Sequence, residues 1–193
     1  MDKSRIIRFH GEKNRRVMGF YVDFANNYPI LSGMIQFAIL GPIGEYIATK
    51  VKGKKWSYGL VPTLMKGIGW AVLAVGIKYA FTGFVGFVDI LVDHSMLPAA
   101  FVEVKFLNAF ARSFFTNIMF GPILFSLHRW WDNVIDKKSD YTGLLKAMVT
   151  LLWFWIPAHT ITFSLPTHFQ MGLAALWSLV LGVIRGFFIN KKD

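Results

Sequence analysis

A chain of 193 residues in which 54% are hydrophobic and only 17% charged is too apolar for a soluble domain; a small protein exposes a large share of its surface and needs polar side chains to cover it. The net charge of +10 does not mark a nucleic-acid binder, because the basic residues flank apolar runs and form no binding motif. Without cysteine there are no disulfides, no thiolate catalysis and no cysteine metal site.

The N-terminal segment, residues 1–28, is basic (Lys3, Arg5, Arg8, Lys13, Arg15, Arg16) and patchily apolar (Ile6, Ile7, Phe9, Val17, Met18, Phe20, Tyr21). It lacks the apolar core of a signal peptide and reads as a helix lying on anionic headgroups. A single integral membrane domain is expected over residues 29–193. Its first span is predicted over about residues 29–49, opened by Pro29 in the first helical turn and stopped by Lys50-Val-Lys-Gly-Lys-Lys55, with Trp56 and Tyr58 at the interface. The second, about residues 67–92, is interrupted by Lys78 and ends near Asp89; its length implies tilt. A short turn at Leu97-Pro98 leads to a third span over about residues 101–127. That span enters past Glu103 and Lys105, carries Arg112 and Asn117, and leaves through His128-Arg-Trp-Trp131.

Residues 144–157 are too short an apolar run for a full crossing. A polar stretch to Pro166 follows, then a good run over about residues 169–188. The short piece is either re-entrant or continues as a broken helix, with Pro157 and Pro166 bracketing a kink. The predicted fold class is therefore all-α: a multi-pass transmembrane bundle of four or five tilted helices, Pro-broken near its C-terminal end and free of β-strand. With five spans, Lys50–Lys55, Lys137-Lys138 and Lys191-Lys192 share one face, which the positive-inside rule places inside.

Ionisable residues at membrane depth cost roughly 2.5–3.5 kcal/mol each on insertion scales, so they ask for a reason. Glu45, Lys78, Asp89, Arg112 and Arg185, with the neutral Asn117 and His159, are the candidates for a pore lining or polar network. Lys78 and Asp89 share a helix face, as do Lys105, Arg112 and Thr116. A cationic strip of Lys105, Arg112 and Lys78 would line a path for small anionic solutes. Alternatively, Lys105 and Arg185 snorkel to headgroups while Glu45 pairs with Lys78 or Arg112 to knit the bundle. Gly182-x-x-x-Gly186 and Gly76-x-x-x-Ala80 are close-packing spacings that leave a homo-oligomer open. The five histidines form neither H-E-x-x-H nor a compact ligand set, and nucleotide or hydrolase motifs are missing, so no enzyme, metal or cofactor is expected. His128 and Asp132, one turn apart, read as a capped interfacial helix end, and Trp153 and Trp155 as interface anchors.

Four places carry a family resemblance. Tyr28-Pro29 opens a span that closes with Gly44-Glu45-Tyr-Ile-Ala48, Thr63-Leu64 precedes a glycine-rich second span, and Thr116-Asn117 is followed by Pro122. The most specific is Trp153-Phe-Trp155-Ile-Pro157-Ala-His159-Thr-Ile-Thr162-Phe163-Ser-Leu-Pro166, with Trp177 in the last helix. In order and spacing these resemble the 22-kilodalton peroxisomal membrane protein and its mitochondrial inner-membrane relatives, the Mpv family, over residues 28–188. Glu45, Asn117, His159 and Thr162 stand where that family carries Asp, Gln, Gln and Asn. The resemblance implies a compact helical membrane protein with channel-like behaviour toward small metabolites. The expected host is the cell membrane of a prokaryote, with a mitochondrial inner or peroxisomal membrane as the alternative. A non-conducting scaffold supporting membrane homeostasis is the competing function.

Overall fold

The computed structural model describes the backbone of residues 3–189 and the side chains of residues 15–180 and 183. Seven helices account for almost all of it: α1 (Lys3–Asn27), α2 (Pro29–Val51), α3 (Leu60–Asp93), the single turn α4 (Ala100–Glu103), α5 (Lys105–Asp136), α6 (Leu144–Phe163) and α7 (Thr167–Ile189). Among the described residues there is no strand. The side chains of Lys3, Arg5, Ile6, Ile7, Arg8, Phe9, Lys13, Arg185, Lys191 and Lys192, and the Gly182–Gly186 spacing, lie outside the described residues.

Four helices (α2, α3, α5 and α6) are long and apolar enough to cross a membrane. The chain is thus a multi-pass α-helical membrane protein. Residues 52–59, 94–104, 137–143 and 164–166 connect the long helices, which alternate in direction. The two C-terminal connections are short; Gly143, at φ +77°, supplies the left-handed turn that opens α6. The connections at residues 52–59 and 137–143 therefore share one end of the bundle, the lysine-rich end.

The patterning is inverted relative to a soluble bundle. On α2, Leu31, Ile35, Ile39 and Ile43 are exposed at every fourth position, while Ser32, Gly33, Phe37, Gly41 and Gly44 are buried. Large apolar residues face lipid and small ones face protein, because lipid gives no hydrophobic drive for helices to associate and close backbone contact must supply it. Gly33 and Gly44 seat Met171 and Leu179 of α7, whereas Gly41 accepts the ring of Trp70 on α3. Across the bundle, Gly69 of α3 accepts the indole of Trp131 on α5, whose Nε1 donates to the Met65 carbonyl at 2.9 Å. The apolar core gathers Phe37, Ala74, Ile77, Phe81, Phe163 and Ala175. Helix α1 docks against α2 and α7: Tyr21 Oη donates to the His168 carbonyl at 2.9 Å, and its ring stacks on Phe169.

Three expectations change. Helix α3 begins at Leu60 and α5 runs on to Asp136, so Lys66 and the His128–Asp132 pair lie inside the bundle and not at its margin. Helix α6 continues through Pro157 to Phe163, and the chain breaks only at Ser164–Pro166. Pro157 is accommodated because a π-turn at Leu151–Trp155 precedes it, the Ile156 amide bonding five residues back to the Leu151 carbonyl. Proline removes one ladder bond and clashes with the preceding turn; one extra residue in that turn makes room for the ring. Helix α5 repeats the device, with a π-turn at Thr116–Phe120 ahead of Gly121-Pro122.

Adding a methyl at Gly69 or Gly41 drives it into the ring of Trp131 or Trp70. Gly69→Ala and Gly41→Ala should each destabilise the protein by roughly 1–3 kcal/mol through overpacking. Gly83→Ala, with nothing within 4 Å of the added Cβ, should be neutral. Thermal melts in detergent check the contrast; equal midpoints for all three would show that the indoles yield freely.

Candidate functional site

Helices α2, α3 and α5 bring four ionisable side chains together below the lysine-rich end. Lys66 is only 3% exposed, and its Nζ lies 2.8 Å from Glu45 Oε2 and 2.5 Å from Asp132 Oδ1. Such an ammonium is tolerated at depth only when paired. The second oxygen of Glu45 accepts from Trp70 Nε1 at 2.8 Å. The His128 ring sits between the two carboxylates, Nε2 3.4 Å from Glu45 and Nδ1 3.6 Å from Asp132. Above them, Lys66 Nζ is 4.7 Å from the Tyr58 ring centre, and Tyr58 Oη donates to Asp136 at 3.2 Å. Burial, reinforced by that hydrogen bond, pushes the Tyr58 phenol up to about 12.

Local sequence explains the convergence. Lys66 and Trp70 are one turn apart on α3, as are His128 and Asp132 on α5, so each helix presents two polar groups on one face. Glu45, His128 and Asp132 each offer a ligand atom within 4.8 Å of the others, the spacing of a metal triad. Lys66 bridges two of the three, so a tethered cation already stands where an ion would.

Beneath this cluster is a cavity of about 270 Å³ lined from α2, α3, α5, α6 and α7. At the lysine-rich end its lining includes Lys52, Arg129, Asp132 and Leu144; deeper it includes Thr116, Asn117, Trp155 and His159, with an apolar waist of Phe120, Leu124 and Leu151. The two π-turns face each other across this floor. Ser113 Oγ of α5 donates to the Ile156 carbonyl of α6 at 2.7 Å. Asn117 Nδ2 donates to the Ser113 carbonyl at 2.8 Å and lies 3.1 Å from His159 Nδ1. The carbonyl fixes the amide nitrogen as donor, so Nδ1 accepts and the ring proton resides on Nε2.

Of the residues expected to matter, Glu45, Asn117 and His159 line the cavity, while Lys78, Asp89 and Arg112 do not. Lys78 is half-buried with no ion-pair partner among the described residues. Arg112 lies within electrostatic reach of Asp89, and its buried Nε has no hydrogen-bond partner. Neither arginine–carboxylate nor lysine–carboxylate locking of the expected kind occurs: Glu45 takes Lys66. Lys66 lies just before the expected start of the second span and so is not among the expected site residues, and the His128–Asp132 pair, expected at an interfacial helix end, lies inside the bundle because α5 runs on to Asp136. The signal was present in the matched i, i+4 polar pairs. Compared with family models, characterised proteins and solved structures, the chain shows no match.

Replacing Lys66 by Met leaves two carboxylates facing each other and should cost about 3–5 kcal/mol of stability. Zinc should restore much of the melting temperature of Lys66→Met but not raise that of wild type, since only the variant frees the Glu45–His128–Asp132 triad. A variant as stable as wild type without zinc would show that Lys66 is not the needed counter-charge. At alkaline pH the raised Tyr58 value also makes a prediction. Its contribution is present in full below the unfolded value near 10 and disappears as pH rises through about 12. Thermal melts of wild type should therefore fall more steeply across that window than those of Tyr58→Phe.

Proposed function

We propose that the protein admits small solutes into the membrane as a channel or transporter. The observation that carries this reading is the cavity itself: polar side chains at membrane depth surround a space and are not locked into a dry core, and such groups mark solute paths. Paired π-turns at its inner end support the reading, since π-bulges recur at functional sites. The similarity to the Mpv family agrees with it, and membership of that family is part of the proposal. So are anionic headgroups as lipid partners of the basic segments and a prokaryotic cell membrane as host. The anion preference expected of Lys78 and Arg112 does not rest on those two residues, because neither lines the cavity; the cations at its mouth are Lys52 and Arg129.

One observation favours the non-conducting scaffold. Past His159 the space is closed by Phe81 and Phe163, whose rings pack on each other at 4.7 Å and on the imidazole. A path across must open there.

The chain has no cysteine, so single cysteines report cleanly. Ala147 lines the cavity, whereas Val149 on the same helix is exposed and does not. In liposomes, wild type and both cysteine variants should conduct small solutes measured by osmotic swelling. A bulky membrane-impermeant thiol reagent should block Ala147→Cys and spare Val149→Cys. Absence of flux in the unlabelled proteins would leave the scaffold reading in its place.

A further inference from the structure

At the rim Glu45, Lys66, His128 and Asp132 pair with one another, whereas the floor carries unpaired polar atoms. Thr116 Oγ1 and Trp155 Nε1 are buried without any hydrogen-bond partner, and both residues line the cavity. Thr116 is only 3% exposed. Asn117 Nδ2 holds His159 Nδ1 as an acceptor, which leaves the His159 Nε2–H with no partner among the described residues. Asn117 Oδ1 likewise makes no hydrogen bond there. Buried polar atoms are nearly always satisfied, and each orphan costs roughly 1–3 kcal/mol. Two such orphans at one end of one cavity, beside the unpaired His159 Nε2–H and Asn117 Oδ1, are therefore unlike scattered packing defects; Asn133 Nδ2 and Arg112 Nε, the other two buried orphans among the described residues, lie on residues that do not line it.

The chemistry of the set restricts what satisfies it. An indole N–H only donates, the His159 Nε2–H donates, the Thr116 hydroxyl does either, and Asn117 Oδ1 only accepts. No cation lines the floor. Lys66 is committed to Glu45 and Asp132, and Lys78 and Arg112 lie off the cavity. A full negative charge would sit unpaired beside the Asn117 carbonyl and phenylalanine rings, and a full positive charge would meet donors; either is expensive in such surroundings. An uncharged head that accepts from two donors and donates to one acceptor meets no such penalty. Phe120, Leu124 and Leu151 at the waist offer an apolar body its place.

We infer that the cavity floor formed by Thr116, Asn117, Trp155 and His159 is a binding site for small amphipathic solutes with an uncharged, amide-like hydrogen-bonding head. This rests on the reading that solutes enter the cavity, but its test needs no transport.

The probes are benzamide, benzoate and toluene, which share a ring and differ in the head. Protein with 15N-labelled indoles is placed in nanodiscs, and the Trp155 resonance is assigned by its loss in Trp155→Phe. Benzamide should shift that resonance saturably at neutral pH, binding more than about tenfold tighter than benzoate, which carries the charge the floor cannot pair. Thr116→Val should weaken benzamide roughly three- to tenfold through one lost hydrogen bond. The same variant should melt no lower than wild type, because it removes an unsatisfied hydroxyl. Benzoate binding as tightly as benzamide would overturn the uncharged-head assignment. Toluene binding as tightly would show an apolar cavity whose polar floor is idle. Shifts that never saturate, or that Thr116→Val leaves unchanged, would mean partition into lipid and a floor that holds only water, which also overturns it. Flux in liposomes without benzamide binding would sink the floor site and spare the path; benzamide binding without flux would do the reverse.

Discussion

Everything at the lysine-rich end of the bundle depends on one ammonium group. Lys66 Nζ touches carboxylates from two different helices, Glu45 of α2 and Asp132 of α5, while belonging to α3. In lipid no hydrophobic force selects which helix sits beside which, so a three-helix charge bridge specifies neighbours in a way that apolar packing cannot. Its net energy is small next to the cost of desolvating the three charges, but removing any one member strands the others. The surrounding groups then follow: Trp70 and His128 complete Glu45, and Trp131 wedges α5 against α3 at Gly69.

A second constraint operates halfway down. Pro122 and Pro157 each follow a five-residue π-turn at the same offset, on two helices that pack against each other at that level. A proline alone would kink the helix; a proline behind an inserted residue leaves it continuous while its register shifts by about 100°. That shift changes which side chains face inward. It brings Thr116 and Asn117 to one side of the cavity and Trp155 and His159 to the other, with the Ser113–Ile156 hydrogen bond as the tie between them. The floor is thus built from backbone irregularity, which membrane depth permits only where protein or a cavity surrounds it.

These two constraints explain what was legible in the sequence. Long apolar runs, their order and their prolines are local properties, so the all-α membrane bundle could be read directly. Glu45, Asn117 and His159 stood out because a polar residue in an apolar run needs no partner to be noticed. Lys66 does not, and Asp132 reads with His128 as an interfacial helix end, because each lies within about a turn and a half of its helix end, where a charge is ordinarily solvated. Only pairing across helices distinguishes a buried lysine from an interfacial one, and pairing is not a local property. Lys78 and Arg112 differ for the complementary reason: depth along a helix is not depth in the protein, and half-burial lets such side chains run along the helix surface. Pro157 predicts a break from sequence because hydropathy does not register the π-turn that accommodates it.

Rim and floor answer different physical demands. The rim concentrates charge and satisfies nearly all of it internally, which is what a fold under selection for a unique packing would do. The floor contains no net charge and leaves hydrogen-bonding capacity spare, which lowers stability without improving packing. Sites that break the rule of polar satisfaction, with no compensating contact nearby, are where function is expected to have outweighed stability. Here the two lie in one cavity, separated by an apolar waist: on the proposed path, a solute past the paired charges would meet hydrophobic walls first and unpaired donors last. That ordering favours molecules able to shed water gradually, the apolar body covering the waist before the head exchanges its hydration for Thr116, Trp155 and His159. It disfavours ions, which would lose solvent at the waist and gain no counter-charge beyond it.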